Sequence, residues 1–83
     1  MFEIKITNQA GKDIRKLSSQ TRDRFAKALG ILAENPLIGE PLRGELKGLR
    51  RYRTGDFRII YSIDKAQKTL IITAMRHRRE AYR

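Results

Sequence analysis

Residues 49–64 read LRRYRTGDFRIIYSID, and this stretch decides the fold because two strand-like runs flank a Gly-Asp pair. A glycine-first pair between such runs is typical of a two-residue type II′ turn. A turn at Gly55 and Asp56 places Arg53 opposite Arg58. Because side chains alternate across a strand, this register divides the hairpin into two faces. One face holds Arg51, Arg53 and Arg58, and the other holds Tyr52, Phe57, Ile59, Tyr61 and Ile63.

The grouping of the arginines depends on the length of this turn. A three-residue turn over residues 54–56 would place Arg58 opposite Tyr52 and would split the three arginines between the two faces. The two-residue turn therefore predicts one apolar face that packs against the core and one face that carries positive charge.

Basic residues dominate a chain whose length suits one compact domain, residues 1–83. The 83 residues include 19 basic and 9 acidic ones, a net charge of +10. From residue 43 onward there are 12 basic and 4 acidic residues, whereas residues 1–42 hold 7 and 5. Such a basic half indicates a polyanionic partner, most commonly nucleic acid, and the alternative is a merely solvated basic face. An anionic membrane is disfavoured, because the charges lie in strand-like sequence rather than on an amphipathic helix.

Several classes of protein are excluded by residues that the sequence lacks. Without cysteine there is no disulfide framework and no thiolate metal site, which fits a reducing compartment. His77 is the only histidine, so a structural zinc site is excluded. The N-terminus lacks the apolar run of a signal peptide, and no stretch approaches about 20 apolar residues. We therefore expect a soluble cytoplasmic protein with no metal and no membrane partner.

The first half of the chain predicts a strand followed by two helices. Apolar and polar residues alternate over residues 2–7, which indicates a half-buried strand. Asn8 offers an N-cap to a short first helix, and Ser18-Ser19 can cap a second helix over residues 20–34. The apolar stripes of these helices are formed by Ala10, Ile14 and Leu17, and by Phe25, Leu29 and Leu32.

The second half adds a loop and three strands, which sets the fold class. Residues 35–48 hold both prolines and three glycines, so we predict a surface loop. Residues 69–75 read TLIITAM and indicate a strand that is buried on both faces. The order β-α-α-β-β-β predicts an α+β fold, a mostly antiparallel sheet with the helical hairpin packed on one face. The loop is expected to be pinned to the core by Leu37, Ile38, Leu42 and Leu46.

Three segments of the chain form a recognisable pattern: LRGELKGL at 42–49, YRTGDFRIIYSI at 52–63 and IITAMRHRREAY at 71–82. Together they resemble the RelE/ParE toxin superfamily of bacterial and archaeal toxin–antitoxin systems. The resemblance covers nearly the whole chain and implies a RelE-like domain. It further implies that RelE-like members are ribosome-dependent mRNA endonucleases. ParE-like members are implied to share the fold, to lack most of the basic catalytic set and to poison DNA gyrase.

The resemblance also implies a set of site residues. Two alternating basic residues on the second strand match Arg51 and Arg53, and an arginine on the next strand matches Arg58. A tyrosine near the C-terminus matches Tyr82. An arginine beyond the last strand matches Arg78 when a short gap is allowed, whereas an ungapped alignment back from Tyr82 selects Arg76. The implied catalytic set is Arg51, Arg53, Arg58, Arg78 and Tyr82.

This set suits cleavage of RNA by attack of a ribose 2′-hydroxyl on the adjacent phosphate, which requires no metal or other cofactor. Arginine donates two parallel hydrogen bonds to phosphate oxygens and stays charged, so Arg58 is expected to stabilise the phosphorane. Tyr82 and His77 are alternatives for proton transfer, and Tyr82 can instead stack on a base. Further RNA contacts are expected from Lys47, Arg50, Arg76, His77 and Arg79.

Structural roles compete with some of these assignments. Arg50 shares the face of Tyr52, where its aliphatic stem can pack while the guanidinium reaches water. His77 closes a strand, a position where a packing role is common. Glu80 is expected to form an ion pair that orients Arg76 or Arg79 rather than to act in catalysis, and Phe57 and Tyr61 are expected in the core.

Three functions follow from these observations. The leading hypothesis is a toxin that cleaves mRNA in the ribosomal A site, with ribosomal RNA helping to position the message. The alternatives are a ParE-like inhibitor of DNA gyrase and a plain RNA-binding module, which would bind RNA with a steep salt dependence but would not cleave it. A toxin is also expected to bind a cognate antitoxin that supplies acidic and apolar segments to the basic surface.

Overall fold

The computed structural model describes residues 1–77, and over this range it contains five strands, two α-helices and one 3-10 turn. The elements in chain order are β1 (Glu3–Ile6), α1 (Asn8–Arg15), α2 (Ser19–Glu34), β2 (Glu40–Pro41), the 3-10 turn (Gly44–Leu46), β3 (Arg50–Thr54), β4 (Phe57–Asp64) and β5 (Thr69–His77).

One mixed sheet contains all five strands in the order β1-β5-β4-β3-β2. β2, β3, β4 and β5 pair antiparallel in sequence order, and only β1 runs parallel to its neighbour β5. The prediction of an α+β fold with a mostly antiparallel sheet is confirmed. The fold differs from the prediction by the two-residue strand β2, which lies within the predicted loop.

The β3–β4 hairpin has the predicted two-residue turn. Gly55 has a φ of +60°, whereas Asp56 does not have a positive φ, as a type II′ turn requires. Arg53 pairs with Arg58 and Thr54 with Phe57, so the predicted register is confirmed.

The hydrophobic core lies between the sheet and the two helices. Fully buried side chains from β4 and β5 pack against Phe25, Ala28 and Leu32 of α2 and against Ala10 and Leu17. The helices therefore cover one face of the sheet, as predicted. Because side chains alternate along β4, Arg58 lies on the opposite face from Ile59 and Tyr61. The buried sheet residues are Ile59, Tyr61, Leu70, Ile72 and Met75. Neither helix within residues 1–77 is long and apolar enough to cross a membrane.

The first helix is capped by Thr7, so the prediction of Asn8 as its N-cap is wrong. Thr7 has an extended backbone, and its hydroxyl accepts a hydrogen bond from the amide of Ala10 at 3.2 Å. The same hydroxyl donates to the carbonyl of Thr73 in β5 at 3.1 Å, which holds Thr7 outside the helix. Ser18 caps the second helix by accepting from the amide of Thr21, as predicted.

Polar contacts, rather than leucine side chains, hold the loop that follows α2. The hydroxyl of Tyr61, a fully buried residue, donates to the carbonyl of Pro36 at 2.8 Å and accepts from the amide of Gly39 at 3.1 Å. A Cβ on Gly39 would lie only 2.5 Å from that hydroxyl. The prediction that four apolar side chains pin the loop is wrong for three of them, since Leu37 is 60% exposed, Ile38 45% and Leu46 50%.

Candidate functional site

Arginines from three neighbouring strands lie side by side on the sheet face that points away from the helices. Arg53 of β3 is the direct cross-strand partner of Arg58 in β4, and Arg58 is the partner of Arg76 in β5. Side chains paired in this way have Cβ atoms about 4.5–5.5 Å apart. We call these three residues the arginine row. Arg51 lies on the same face, two residues before Arg53, so the structure brings together the three arginines predicted from the hairpin and adds Arg76.

A β-bulge in β5 places Arg76 in this row. Ala74 pairs with Ile60 while Ile72 pairs with the next residue of β4, Tyr61, so Thr73 is an extra residue in β5. In a regular strand Arg76 would share the core face with Ile72, and the extra residue moves it to the opposite face. The hydroxyl of Thr73 donates to the carbonyl of Ile60 at 3.1 Å, which helps to fix the bulge.

Arg58 occupies the centre of the row and is only 5% exposed. It lines a cleft of about 150 Å³ beside the hairpin turn, together with Arg53, Gly55, Asp56 and Phe57. A guanidinium that is held away from bulk water interacts more strongly with an anion than an exposed one, because water screens the charge less. The cleft therefore suits a phosphate group.

Glu40 of β2 is a carboxylate at this site that sequence reasoning missed. Its Oε2 accepts a hydrogen bond from Nη2 of Arg51 at 2.8 Å, and β2 pairing places the two residues directly opposite each other. The hydrogen bond and charge of Arg51, joined by the charge of Arg53, hold the pKa of the Glu40 carboxyl below its usual value. A second cleft, of about 330 Å³, is lined by Glu40, Arg51, Tyr52 and Arg53. In the sequence, the only sign of this contact is a glutamate in the short segment that the structure shows to pair with β3.

Three other predicted residues within residues 1–77 lie away from the row. Arg50 is on the core side of β3, where its Nη2 donates to the carbonyls of Leu37 at 3.0 Å and Gly39 at 2.6 Å. Lys47 is exposed and follows the 3-10 turn. His77 pairs with Phe57 across the strands, and the two rings meet edge to face with centroids 5.3 Å apart. The predicted positions Arg78, Arg79, Glu80 and Tyr82 lie outside the described residues.

The site has the chemistry of an anion-binding surface. Four guanidinium groups can donate paired hydrogen bonds to phosphate oxygens, and Glu40 can accept a proton. Among residues 1–77 there is no group of three or more His, Asp or Glu side chains placed to hold a metal ion. Fold and site thus define a small α+β domain with a basic sheet face that suits a polyanion.

Comparisons with known proteins identify the family. The model described as "ParE toxin of type II toxin-antitoxin system, parDE" matches residues 4–82. Toxin RelG of Mycobacterium tuberculosis is 34% identical over 84 residues, covering 99% of this chain and 97% of RelG. Toxin RelE of the same organism is 32% identical, with 99% and 87% covered.

A solved structure agrees with these relatives. One chain of the toxin–antitoxin complex RelBE2 from Mycobacterium tuberculosis superposes with a TM-score of 0.87 at 34% identity, covering 93% of this chain and 98% of that one. The chain therefore belongs to the RelE/ParE family and is a toxin of a type II toxin–antitoxin system. The family and the fold predicted from the sequence are both confirmed.

Proposed function

We propose that this toxin is a ribosome-dependent mRNA endonuclease that cleaves by 2′-hydroxyl attack without a metal ion. The observation that carries the proposal is the arginine row, in which arginines on three adjacent strands are direct cross-strand partners, with Arg51 on the same face. The relatives named RelG and RelE, at 34% and 32% identity, favour the RelE branch of the family over the ParE branch.

The arginine row suits the charge that develops during such a reaction. The 2′-oxygen bonds to the adjacent phosphorus, negative charge grows on the non-bridging oxygens, and the bond to the 5′-oxygen breaks to leave a 2′,3′-cyclic phosphate. Arg58, central and held in place by the sheet, donates to the non-bridging oxygens as that charge grows. Arg51 and Arg53 bind the neighbouring phosphates and orient the backbone.

Proton transfer is the second requirement of this mechanism. The 2′-hydroxyl must lose a proton, and the departing 5′-oxygen must gain one. Arginine stays protonated, so another group must act as the base. Tyr82 and His77 are the candidates from the sequence. Glu40 is a third, and its lowered pKa makes it a weaker base than an ordinary glutamate. Glu40 is ionised at neutral pH and lies against Arg51 on the row's face, whereas the ring of His77 contacts Phe57 on the other face.

The ribosome supplies the positioning that so small a domain lacks. The described sheet face offers clefts of about 150 and 330 Å³, which suit one or two phosphate groups rather than a folded RNA. We propose that the toxin acts in the cytoplasm, and that ribosomal RNA holds the message against the arginine row in the A site.

Cleavage in a translating extract tests the proposal. Primer extension on a reporter mRNA should show new 5′ ends with the wild type and about 100- to 1000-fold slower cleavage with Arg58→Ala, the range seen when one oxyanion donor is removed. Arg15→Ala is the matched control, because it removes the same charge from an exposed position on α1. Unchanged cleavage by Arg58→Ala would refute the assignment of Arg58.

Inhibition of DNA gyrase is the second candidate function, because the matching family model is named for ParE. A ParE-like toxin would block supercoiling by purified gyrase and would leave mRNA intact. The density of arginine on β3 and β4 favours the nuclease. Inhibited supercoiling together with uncut mRNA would reverse this order.

A cognate antitoxin is the proposed protein partner. The related RelBE2 structure is that of a toxin–antitoxin complex. A basic face is complementary to an acidic segment, and the exposed Leu37, Ile38 and Leu46 are complementary to apolar side chains. Co-expression with the product of the adjacent gene should yield a complex whose binding weakens as salt is raised. Failure of any acidic partner to copurify would count against this proposal.

A further inference from the structure

A buried carboxylate supports the edge of β5 beside the arginine row. Asp13 of α1 is 9% exposed, and its Oδ2 accepts a hydrogen bond from the backbone amide of Met75 at 2.9 Å. Its Oδ1 accepts from the side-chain amide of Gln9 at 3.0 Å. β1 ends at Ile6, which pairs with Ile72, so none of the strands within residues 1–77 borders this edge of β5 near Met75. Asp13 takes the place of that missing neighbour.

The same carboxylate faces the guanidinium of Arg76. Oδ1 of Asp13 lies 3.6 Å from Nη1 of Arg76, whose side chain is 39% exposed. This distance is longer than a hydrogen bond, so the interaction is an electrostatic attraction that burial of the carboxylate strengthens. Asp13 thus fixes the backbone at Met75 and also attracts the side chain of the next residue.

Arg76 needs such an attraction because of its neighbour in the row. Its direct cross-strand partner is Arg58, and like charges that face each other across strands destabilise the pair. The low exposure of Arg58 limits screening by water. Asp13 lies at the opposite edge of β5 from β4, so it draws the guanidinium of Arg76 towards that edge. Arg76 accordingly lines a cleft with Asp13 and Gln9 of α1, separate from the cleft that Arg58 lines.

We propose that Asp13 is a positioning residue that holds the guanidinium of Arg76 at the outer edge of β5, where it can contact a phosphate of RNA bound along the arginine row. The proposal rests on the proposed nuclease function and adds a residue of α1 to its machinery. The buried Asp13 carboxylate acts through Arg76 and does not contact the substrate.

Asp13→Asn isolates the charge of this residue. Asparagine has nearly the same shape, and its amide oxygen can still accept from the Met75 amide, so the β5 edge keeps its hydrogen bond. Asp23→Asn is the matched control, because it makes the same change of charge at an exposed position of α2. Asp13→Glu keeps the charge and serves as a rescue variant.

The first measurement is mRNA cleavage on ribosomes, with kcat and KM determined separately. Asp13→Asn should lower kcat about 10- to 100-fold with a smaller effect on KM, because misplacement of a catalytic group costs up to about 100-fold. Asp23→Asn should match the wild type, and Asp13→Glu should recover part of the loss. In an Arg76→Gln background, which leaves Asp13 no cation to attract at this position, Asp13→Asn should have little further effect. An unchanged kcat, or an equal loss in both backgrounds, would overturn the proposal.

The second measurement does not depend on catalysis. The Nε–H group of Arg76 in the free protein should give an ordered NMR signal in the wild type and a mobile one in Asp13→Asn. If the wild type fails to cleave mRNA, the proposed function falls, and this signal alone decides whether Asp13 positions Arg76. If Asp13→Asn does not fold, a mobile Arg76 in the wild type would overturn the proposal, and an ordered one would support it.

Discussion

Tyr61→Phe should destabilise the fold through the loop that carries β2. The lost hydroxyl joins the carbonyl of Pro36 at 2.8 Å to the amide of Gly39 at 3.1 Å. An unsatisfied buried donor such as the Gly39 amide costs about 1–3 kcal/mol, and a net hydrogen bond such as that to Pro36 contributes about 0.5–1.5 kcal/mol. The free energy of unfolding should therefore fall by about 1.5–4.5 kcal/mol. For a domain of this size Tm should fall by roughly 6–36 °C.

Denaturant unfolding and calorimetry measure this loss, with Tyr52→Phe as the control. Tyr52 is half-buried on the same face of the sheet, and its hydroxyl makes no hydrogen bond with the rest of residues 1–77. Removing that hydroxyl should change the free energy of unfolding by less than about 0.5 kcal/mol. If Tyr61→Phe destabilises the protein no more than Tyr52→Phe does, the loop is not held by the Tyr61 hydroxyl and the reasoning is refuted.

Two further predictions concern the same loop. Gly39→Ala should lower the free energy of unfolding by about 1–3 kcal/mol, because its Cβ would lie 2.5 Å from the Tyr61 hydroxyl and 2.8 Å from the carbonyl of Arg51. An unchanged free energy of unfolding in denaturant would contradict this prediction. The lowered pKa of Glu40 means that its ion pair with Arg51 is complete above the ordinary value of 4.5 and is lost as pH falls through the lower folded value. An NMR titration of the Glu40 carboxyl should show this, and Arg51→Ala should return the pKa towards 4.5; no change in that variant would refute the assignment of the shift to Arg51.

The hairpin and its arginines were predictable from local chemistry. Gly55 before Asp56 sets the turn, the turn sets the register, and the register puts Arg51, Arg53 and Arg58 on one face. No contact distant in sequence is needed for that chain of reasoning. The helical hairpin followed equally from apolar spacing and from Ser18 as a cap.

The parts of the fold that the sequence did not reveal depend on tertiary contacts. Thr7 and Asn8 are both good N-cap residues, and the link from Thr7 to the carbonyl of Thr73 decides between them. β2 is two residues long and contains Pro41, so it has no periodicity to detect. The bulge at Thr73 lies in the apolar run TLIITAM, where no alternation exists for an extra residue to interrupt.

The candidate site divides in the same way. Arg51, Arg53 and Arg58 required only the hairpin, whereas Arg76, Glu40 and Asp13 each depend on a feature of the sheet that the sequence did not predict. Arg76 joins the row because of the bulge, and Glu40 reaches Arg51 because of β2. Asp13 can accept a hydrogen bond from the Met75 amide because β1 ends before it reaches Met75.

The bulge has a consequence for changes in chain length near the end of β5. Side chains alternate between the two faces of a strand. An odd number of residues inserted or deleted between Ile72 and Arg76 therefore moves the Arg76 side chain to the other face of the sheet, whereas an even number leaves it on the same face. Loss of Thr73 alone would turn the Arg76 guanidinium towards the packed interior and the ring of His77 towards the basic face. Relatives with the same arginine in their sequence can therefore present it to solvent or bury it, according to whether they keep this single additional residue.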